Sequence, residues 1–304
     1  MTENQLAIPI TDLHTHLMPG VDDGAQNIGE ALGALRALIN EGVERVVATP
    51  HFQASLLERS SQEGDRLERF DRAYDQLTTA ASSEALEIKI ERGCEFKLDA
   101  PTIDLSDPRL RLAGSRYALV EFASFRVPPF AERQLLAVHE AGWIPVLAHT
   151  ERYAGVASAW DRVEEWVRQG TLLQVNARSL FGSYGPEAQF AARELLRLGW
   201  LSCLASDFHA RGRPGLRSAL HLIEGGAVGH ASVDSRANQV EDQDLGGLET
   251  RARESQEEHH AVIRTLVHEN PERIISDEPT VLVPPIDVEV PELDRRTPRR
   301  RWFR

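Results

Sequence analysis

The chain has 304 residues, of which 41% are hydrophobic and 27% are charged, and its formal net charge is −13. This composition is typical of a soluble globular protein, and the negative charge argues against a general nucleic-acid-binding surface. No apolar run approaches the roughly 18–20 residues that a membrane-spanning helix needs. The N-terminus also lacks the basic and apolar regions of a secretory signal. We therefore predict a cytoplasmic protein of one or two domains, with buried free thiols at Cys94 and Cys203.

Strand-like and helix-like segments alternate along the first two thirds of the chain. Apolar spacing predicts strands at residues 6–10, 45–49, 87–91, 117–120, 144–148, 172–175 and 201–205. Between these strands it predicts helices at residues 27–41, 61–82, 128–141, 160–168 and 186–198. Strands that alternate with helices pair in parallel through right-handed crossovers. About seven such units predict an α/β fold, a distorted (β/α)7 barrel one unit short of the usual eight.

Side chains that commonly bind metals follow most of the predicted strands. His14 and His16 are two residues apart, a spacing that can bring two imidazoles onto one ion. Asp207 and His209 repeat this spacing after the last strand. The other candidate ligands are Asp23, His51, Glu95, Glu121 and His149. Barrels place such residues on one face, and nine donors exceed the needs of one ion, so we predict two or three metal ions.

The regular pattern breaks in the last third of the chain. Residues 225–255 are rich in Gly, Asp, Gln and Ser and show little periodicity, which predicts a mobile insertion. Residues 277–304 form a proline-rich segment that we expect to be an extended, flexible tail, packed at most in part over residues 281–290. Its last ten residues hold six arginines and no acid. A basic end of this kind is usually solvated, and contact with an acidic partner or a membrane is the alternative. We therefore predict one domain over residues 1–276, followed by the tail.

Several short motifs resemble one known family. They are His14-x-His16, the PGVDDG sequence at 19–24, Thr49-Pro50-His51, Gly93-x-Glu95, the AHTERY sequence at 148–153, and Ser206-Asp207-x-His209. Together they resemble the PHP-domain phosphoesterases, named for polymerase and histidinol phosphatase. Within that group they are most similar to bacterial manganese-dependent protein-tyrosine phosphatases of capsule and exopolysaccharide gene clusters. Thr150, where that family more often has proline, the insertion and the basic tail depart from the pattern.

The resemblance implies a PHP-type barrel with a trinuclear site, with Mn²⁺ as the expected metal. One ion would be held by His14, His16 and Asp207. A second, bridged to the first by Glu95, would be held by Glu121 and His149. The third would be held by Asp23, His51 and His209. The resemblance also implies that Arg152 and Arg213 bind phosphate oxygens, because a guanidinium fork matches their geometry.

The implied activity is that of a protein-tyrosine phosphatase in which a metal-bound hydroxide attacks phosphorus. The expected partner is a phosphotyrosine protein, in particular a bacterial tyrosine kinase of polysaccharide export, and the oligomeric state stays open. Three alternatives are a small-molecule phosphatase of the histidinol-phosphatase kind, a nuclease of the same superfamily, and a catalytically silent scaffold for polysaccharide assembly. The PGVDDG sequence argues against the first, the net charge against the second, and the complete set of ligands against the third.

Overall fold

The structure, a computed structural model, describes residues 8–57, 60–229, 245–291 and 293. The strands in these ranges are β1 (Ile10–Thr15), β2 (Val43–Ala48), β3 (His51–Gln53), β4 (Lys89–Arg92), β5 (Glu95–Leu98), β6 (Tyr117–Phe122), β7 (Ile144–Leu147), β8 (Leu172–Asn176) and β9 (Leu201–Ala205). The α-helices are α1 (Ile28–Asn40), α2 (Ser60–Ser83), α3 (Ala131–Glu140), α4 (Trp160–Arg168), α5 (Pro186–Arg197), α6 (Leu216–Gly229), α7 (Leu245–Arg264) and α8 (Asn270–Ile275). A π-helical turn, Thr265–Glu269, joins α7 to α8.

The strands pair in parallel, as the sequence predicts. They form a sheet of order β1-β2-β4 and a second sheet of order β3-β5-β6-β7-β8-β9. Two residues separate β2 from β3 and two separate β4 from β5, so each pair is one interrupted strand that takes part in both sheets. The nine segments therefore occupy seven positions, which agrees with the predicted distorted α/β fold of about seven units.

The first strand meets the chain just beyond the last one. The backbone N–H of His16 donates to the carbonyl of Phe208 at 3.0 Å, and the N–H of Asp207 donates to that of His14 at 2.9 Å. An isolated parallel bridge also joins Thr15 to Phe208. These bonds bring the first and last candidate ligands of the sequence side by side.

Strands from both sheets share one buried apolar cluster. It contains Leu13 of β1, Val47 of β2, Leu119 of β6, Val146 of β7 and Cys203 of β9. A larger cluster packs the strands against the helices. Every residue of β1 and of β6 is buried, as expected for parallel strands that are covered on both faces. The two sheets therefore surround a common filled interior.

Three strands differ from their predicted positions. The first was expected at residues 6–10, but β1 starts at Ile10 and continues through His14, while residues 1–7 lie outside the described ranges. His51 and Glu95 were expected to follow strands, but each begins a short strand of its own, and the two residues pair in register. Period-two patterns cannot locate these boundaries, because β1 is buried throughout and does not alternate, whereas β3 and β5 are only three and four residues long.

The proline-rich tail packs against the body within residues 281–290, the stretch over which partial packing is expected. Val283, Ile286 and Val288 are 4–6% exposed. The side chain of Asn270 accepts the N–H of Val281 at 2.8 Å and donates to its carbonyl at 3.0 Å. A Cβ on Gly199 would lie 2.7 Å from the carbonyl oxygen of Val283, so only glycine permits this close approach. The arginine-rich end lies outside the described residues.

The predicted irregular insertion is helical at both of its described ends. Helix α6 runs on to Gly229 and α7 begins at Leu245, while residues 230–244 lie outside the described ranges. Among the described residues, no helix is long and apolar enough to cross a membrane.

Candidate metal centre

The nine predicted ligands come together around Glu95, which is fully buried at the start of β5. Its Oε2 atom lies 3.4 Å from Nε2 of His14, 3.5 Å from Nε2 of His16 and 2.9 Å from Nδ1 of His51. Its Oε1 atom lies 2.7 Å from Nε2 of His149. One carboxylate therefore faces four imidazoles from three separate segments of the chain, since His14 and His16 share one segment.

The donor atoms fall into three overlapping groups, in each of which all atoms lie within 4.8 Å of one another. The groups are His14, His16 and Glu95; His51, Glu95 and Glu121; and His16, Asp23, His51 and His209. Asp207 joins the first group, since its Oδ1 atom lies 3.5 Å from His14 and 3.4 Å from His16. Groups that share residues are suited to two or three neighbouring ions.

Unpaired buried atoms test whether this pocket fits cations. Oε2 of Glu95 and Nδ1 of His51 are both buried and form no hydrogen bond, although they lie 2.9 Å apart. Burying such polar atoms without a partner is costly. A cation between them would satisfy both, and imidazole with carboxylate is a donor set that suits divalent transition metals. The residues therefore fit metal ions.

Electrostatics point the same way. Burial by itself lowers the pKa of His16, but its contacts with Asp207 and Asp22 more than reverse this and raise the pKa to about 10. Burial raises the pKa of Asp207, but His14 and His16 outweigh it and hold that pKa below its usual range. The cluster therefore attracts positive charge, and protons and metal ions compete for it.

Asp22 orients one of the histidines. Its Oδ2 atom lies 2.8 Å from Nδ1 of His16, which leaves Nε2 of that ring facing the other ligands. The backbone N–H of Gly24 donates to Oδ1 of Asp22 at 2.9 Å. A Cβ on Gly24 would lie 2.1 Å from the carbonyl oxygen of His16, so this loop requires glycine. A carboxylate behind a ligating imidazole fixes its tautomer and orientation.

Two amide side chains of β8 orient further candidate ligands, and the sequence patterns missed their role. Oε1 of Gln174 lies 3.0 Å from Nδ1 of His14 and accepts the backbone N–H of His149 at 2.9 Å. The Gln174 side chain donates to Asn176 at 2.9 Å, and Asn176 donates to Oδ2 of Asp207 at 2.7 Å. The sequence signal for this role is the position of Asn176, which directly follows the predicted strand at residues 172–175.

Backbone strain marks two candidate ligands. His149 has φ of 35° and Asp207 has φ of 51°, in the left-handed region that non-glycine residues rarely adopt. Such conformations cost on the order of 1–3 kcal/mol each and persist where function requires a particular side-chain direction. Each of them lies two residues beyond the last residue of a strand, β7 for His149 and β9 for Asp207.

The two predicted phosphate-binding arginines lie in different settings. Nη1 of Arg152 donates to Oδ2 of Asp207 at 2.9 Å, so this guanidinium lies at the edge of the cluster. Its carbon Cζ lies 4.5 Å from the ring centre of Phe125 and 4.4 Å from that of Tyr184. Arg213 is exposed and forms no hydrogen bond or ion pair with any described residue, so its role stays a prediction.

Comparison with known proteins identifies the family. Residues 10–235 match the family model described as capsular polysaccharide synthesis, CpsB/CapC. The chain belongs to the CpsB/CapC family. The resemblance to capsule-cluster proteins that the motifs indicate is therefore confirmed.

Three named relatives share about a quarter of their residues with this CpsB/CapC chain. The putative tyrosine-protein phosphatase CapC of Staphylococcus aureus is 28% identical over 203 residues, 66% of this chain and 77% of CapC. The tyrosine-protein phosphatase YwqE of Bacillus subtilis is 27% identical, over 65% of this chain and 76% of YwqE. The tyrosine-protein phosphatase CpsB of Streptococcus pneumoniae is 26% identical, over 65% of this chain and 82% of CpsB.

A solved structure supports the same fold. It is one of the crystal structures of YwqE from Bacillus subtilis and CpsB from Streptococcus pneumoniae, which are described as unique metal-dependent tyrosine phosphatases. The match covers 92% of this chain and 100% of the solved chain, with a TM-score of 0.67. Its sequence identity to this CpsB/CapC chain is 23%. At that identity the match shows a shared fold.

Neither cysteine of this CpsB/CapC chain is suited to be a nucleophile. Cys94 and Cys203 are both free thiols and both buried, as predicted. Burial raises the pKa of the Cys203 thiol to about 12 and raises that of Cys94 as well. A nucleophilic cysteine needs a thiolate, which electropositive and partly exposed surroundings favour. Neither thiol therefore lies in surroundings that favour the thiolate.

Proposed function

We propose that this chain is a metal-dependent protein-tyrosine phosphatase, which hydrolyses phosphotyrosine to tyrosine and inorganic phosphate. The observation that carries the proposal is the buried Glu95, which faces four imidazoles and has an arginine at the edge of its cluster. Such a centre suits hydrolysis of a charged ester. The names of the CapC, YwqE and CpsB relatives supply the substrate class.

We assign two or three ions, with Mn²⁺ as the proposed metal, to the nine predicted ligands. These are His14, His16, Asp23, His51, Glu95, Glu121, His149, Asp207 and His209. Bound divalent cations lower the pKa of coordinated water toward about 7 and neutralise phosphate charge, which supplies a nucleophile at neutral pH. The preference for Mn²⁺ over Mg²⁺ rests on the five imidazoles among the ligands, because Mg²⁺ favours oxygen donors.

The chain's own residues position the substrate. Arg152 uses Nη1 to hold Asp207, and its other nitrogens form no hydrogen bond with the described residues, so they are free to bind phosphate oxygens. A guanidinium in this position stabilises charge that develops on those oxygens in the transition state. The phenolate that leaves has a pKa near 10, so the demand on a general acid is modest.

The Lys97 side chain adds a positive charge that the sequence patterns missed. Its Nζ atom lies 3.1 Å from Oε1 of Glu121, and the side chain is 28% exposed. Lys97 follows Glu95 by two residues on β5, so it lies beside the candidate ligands. We infer that it contributes to the positive field that attracts a phosphorylated segment.

The family supports a proposal about the biological partner. The CpsB/CapC description refers to capsular polysaccharide synthesis, and the relatives are named as tyrosine-protein phosphatases. We infer that the substrate is a phosphotyrosine protein, in particular a bacterial tyrosine kinase of polysaccharide export, and that the enzyme acts in the cytoplasm.

Substrate comparison tests this function. Phosphate release is measured with a phosphotyrosine peptide, histidinol phosphate and p-nitrophenyl phosphate, each with Mn²⁺ or with chelator. We expect turnover of both aryl phosphates with Mn²⁺, a preference for them over histidinol phosphate, and no effect of iodoacetamide. Preferred turnover of histidinol phosphate would instead establish a small-molecule phosphatase. No turnover of any of the three by metal-loaded protein would favour a scaffold.

A further inference from the structure

Two half-buried aromatic rings stand at the edge of the cluster. Phe125 lies in the connection from β6 to α3, three residues after Phe122, the last residue of β6. Its ring centre lies 5.3 Å from that of His149 and 4.5 Å from Cζ of Arg152. The ring therefore borders both a proposed metal ligand and the proposed phosphate-binding arginine.

Tyr184 approaches the same arginine from another part of the chain. It lies in the loop before α5, and its ring centre is 4.4 Å from Cζ of Arg152. Its hydroxyl forms no hydrogen bond with any residue in the described part of the chain. Guanidinium groups bind favourably over aromatic faces, so the two rings help to fix Arg152, and both keep solvent-facing surface.

The position of Arg152 locates where an aryl group must lie. The guanidinium is tied to Asp207, so a phosphate held by its remaining nitrogens lies beside both rings. The group esterified to that phosphate is then within reach of the exposed part of these rings. Aromatic pairs prefer offset or edge-to-face contacts with centres about 4.5–7 Å apart.

We propose that Phe125 and Tyr184 form an aromatic subsite that binds the tyrosine ring of the substrate. This inference rests on the proposed function and explains selection of aryl over alkyl phosphates. Serine and threonine phosphates have no ring to occupy the subsite. A pocket that loses a ring contact loses only part of its discrimination, so we expect a moderate effect for each residue.

Phosphonate inhibitors isolate ring recognition from leaving-group chemistry. Benzylphosphonate and methylphosphonate carry the same charged group, but only the first has a ring. Inhibition constants for both are measured on the Mn²⁺-loaded full chain and on Phe125→Leu, Tyr184→Leu and Tyr184→Phe. Phe130→Leu is the matched control, because Phe130 lies on the same connection but is 68% exposed.

We expect Phe125→Leu and Tyr184→Leu each to raise the inhibition constant of benzylphosphonate roughly three- to tenfold, the effect of losing one aromatic pair. The inhibition constant of methylphosphonate should rise much less. Tyr184→Phe and Phe130→Leu should leave the ratio of the two inhibition constants near that of the wild type. Equal weakening of both inhibitors would show that the rings only position Arg152 and would overturn the subsite. Failure of the wild type to hydrolyse phosphotyrosine would instead overturn the proposed function. Thermal unfolding of each variant verifies folding, and the two Leu variants test the subsite independently.

Discussion

The metal centre has two parts that differ in burial. In the inner half, formed by His14, His16, Glu95 and Asp207, the side chains are 0–3% exposed. In the outer half, formed by Asp23, His51 and His209, the exposed fractions are 67%, 29% and 29%. Burial and exposure within one cluster indicate that one part is fixed by the fold and the other is open to solvent and substrate.

The two halves also differ in the groups that hydrogen-bond to their ligands from outside the cluster. Gln174 and Asp22 support the inner histidines, and Asn176 supports Asp207. In the outer half, His209 is supported by a backbone carbonyl, with its Nδ1 3.0 Å from the carbonyl oxygen of Asp207. Hydrogen bonds of this kind raise the affinity of a metal site. The inner half should therefore bind metal more tightly than the outer half.

Removal of Glu95 should have the largest effect, because this residue contacts both halves. We expect Glu95→Gln to lose bound metal and to reduce turnover by more than the roughly 10²–10³-fold that one positioned donor contributes. Metal analysis and phosphotyrosine kinetics on the purified variant measure both quantities. Normal metal content with near-normal turnover would show that Glu95 is not the shared ligand.

Arg152→Ala should damage catalysis without emptying the inner half. Asn176 still supports Asp207 in this variant, so we expect metal content to be retained. Loss of one preorganised donor should cost about 2.7–4 kcal/mol, roughly 10²–10³-fold in turnover. Arg152→Lys is the control, because lysine keeps the positive charge but lacks the planar guanidinium that can donate two parallel hydrogen bonds. Loss of metal from Arg152→Ala would assign the residue to the support of Asp207.

The same assay tests the exposed Arg213. If Arg213 binds phosphate when substrate is present, Arg213→Ala should raise KM and leave metal content unchanged. An unchanged kcat/KM would remove this residue from the site.

Glu151 is a buried acid that lies behind the inner half, where only one of its two carboxylate oxygens accepts hydrogen bonds. Its Oε1 accepts the N–H of Asn176 and the hydroxyl of Ser179, while Oε2 has no hydrogen bond. Burial outweighs these bonds and raises its pKa from 4.5 to about 7. The folded state therefore binds the Glu151 proton more tightly than the unfolded state does. The contribution of this proton to the free energy of unfolding is complete below pH 4.5 and is lost as the pH rises through about 7.

Replacing Glu151 with glutamine should remove that dependence on pH. At pH 8 we expect the free energy of unfolding of Glu151→Gln to exceed that of the wild type by about 3 kcal/mol, since one pKa unit corresponds to about 1.36 kcal/mol. At pH 4 the difference should vanish. Denaturant unfolding at both values measures it, with the exposed Glu164→Gln as control. If the wild type is at least as stable as Glu151→Gln at pH 8, ionisation of Glu151 does not destabilise the folded state and this account of Glu151 is wrong.

The smallest expected effect is on Mn²⁺ affinity, and it tests whether the inner and outer halves bind metal independently. Asn176→Ala removes a support of the inner half and should weaken its ion roughly 10–100-fold. Asp23→Asn alters the outer half and should change only the weakest binding step. Calorimetric Mn²⁺ titration of both variants resolves these steps. Weakening of the same step by both variants would show that the centre behaves as one unit.

The ligands could be predicted because parallel strands bring their carboxyl ends together. His14, His149 and Asp207 all lie at or just beyond strand ends, so their order in the sequence predicts their convergence in space. Gln174 could not be found in this way, because it lies inside a strand and its role depends on the register of β8. Phe125 and Tyr184 belong to no periodic pattern in the sequence, and what brings them together is that both contact the guanidinium of Arg152.

The packing of the C-terminal segment could be predicted only in part. Proline-rich sequences predict extended chain but do not predict what that chain contacts. Burial of Val283 depends on the close approach that Gly199 permits and on the side-chain amide of Asn270. Both residues lie outside the tail, so the tail's own local propensity carries no information about these contacts.

Restoration of metal to chelated protein tests the central claim most directly. The full chain is treated with EDTA and dialysed, and Mn²⁺ is then added while bound metal and phosphate release from a phosphotyrosine peptide are measured together. We predict no turnover without metal, and turnover that rises with the amount bound and exceeds that reached with Mg²⁺. Full turnover in excess EDTA, with no metal bound, would contradict a metal-dependent phosphatase.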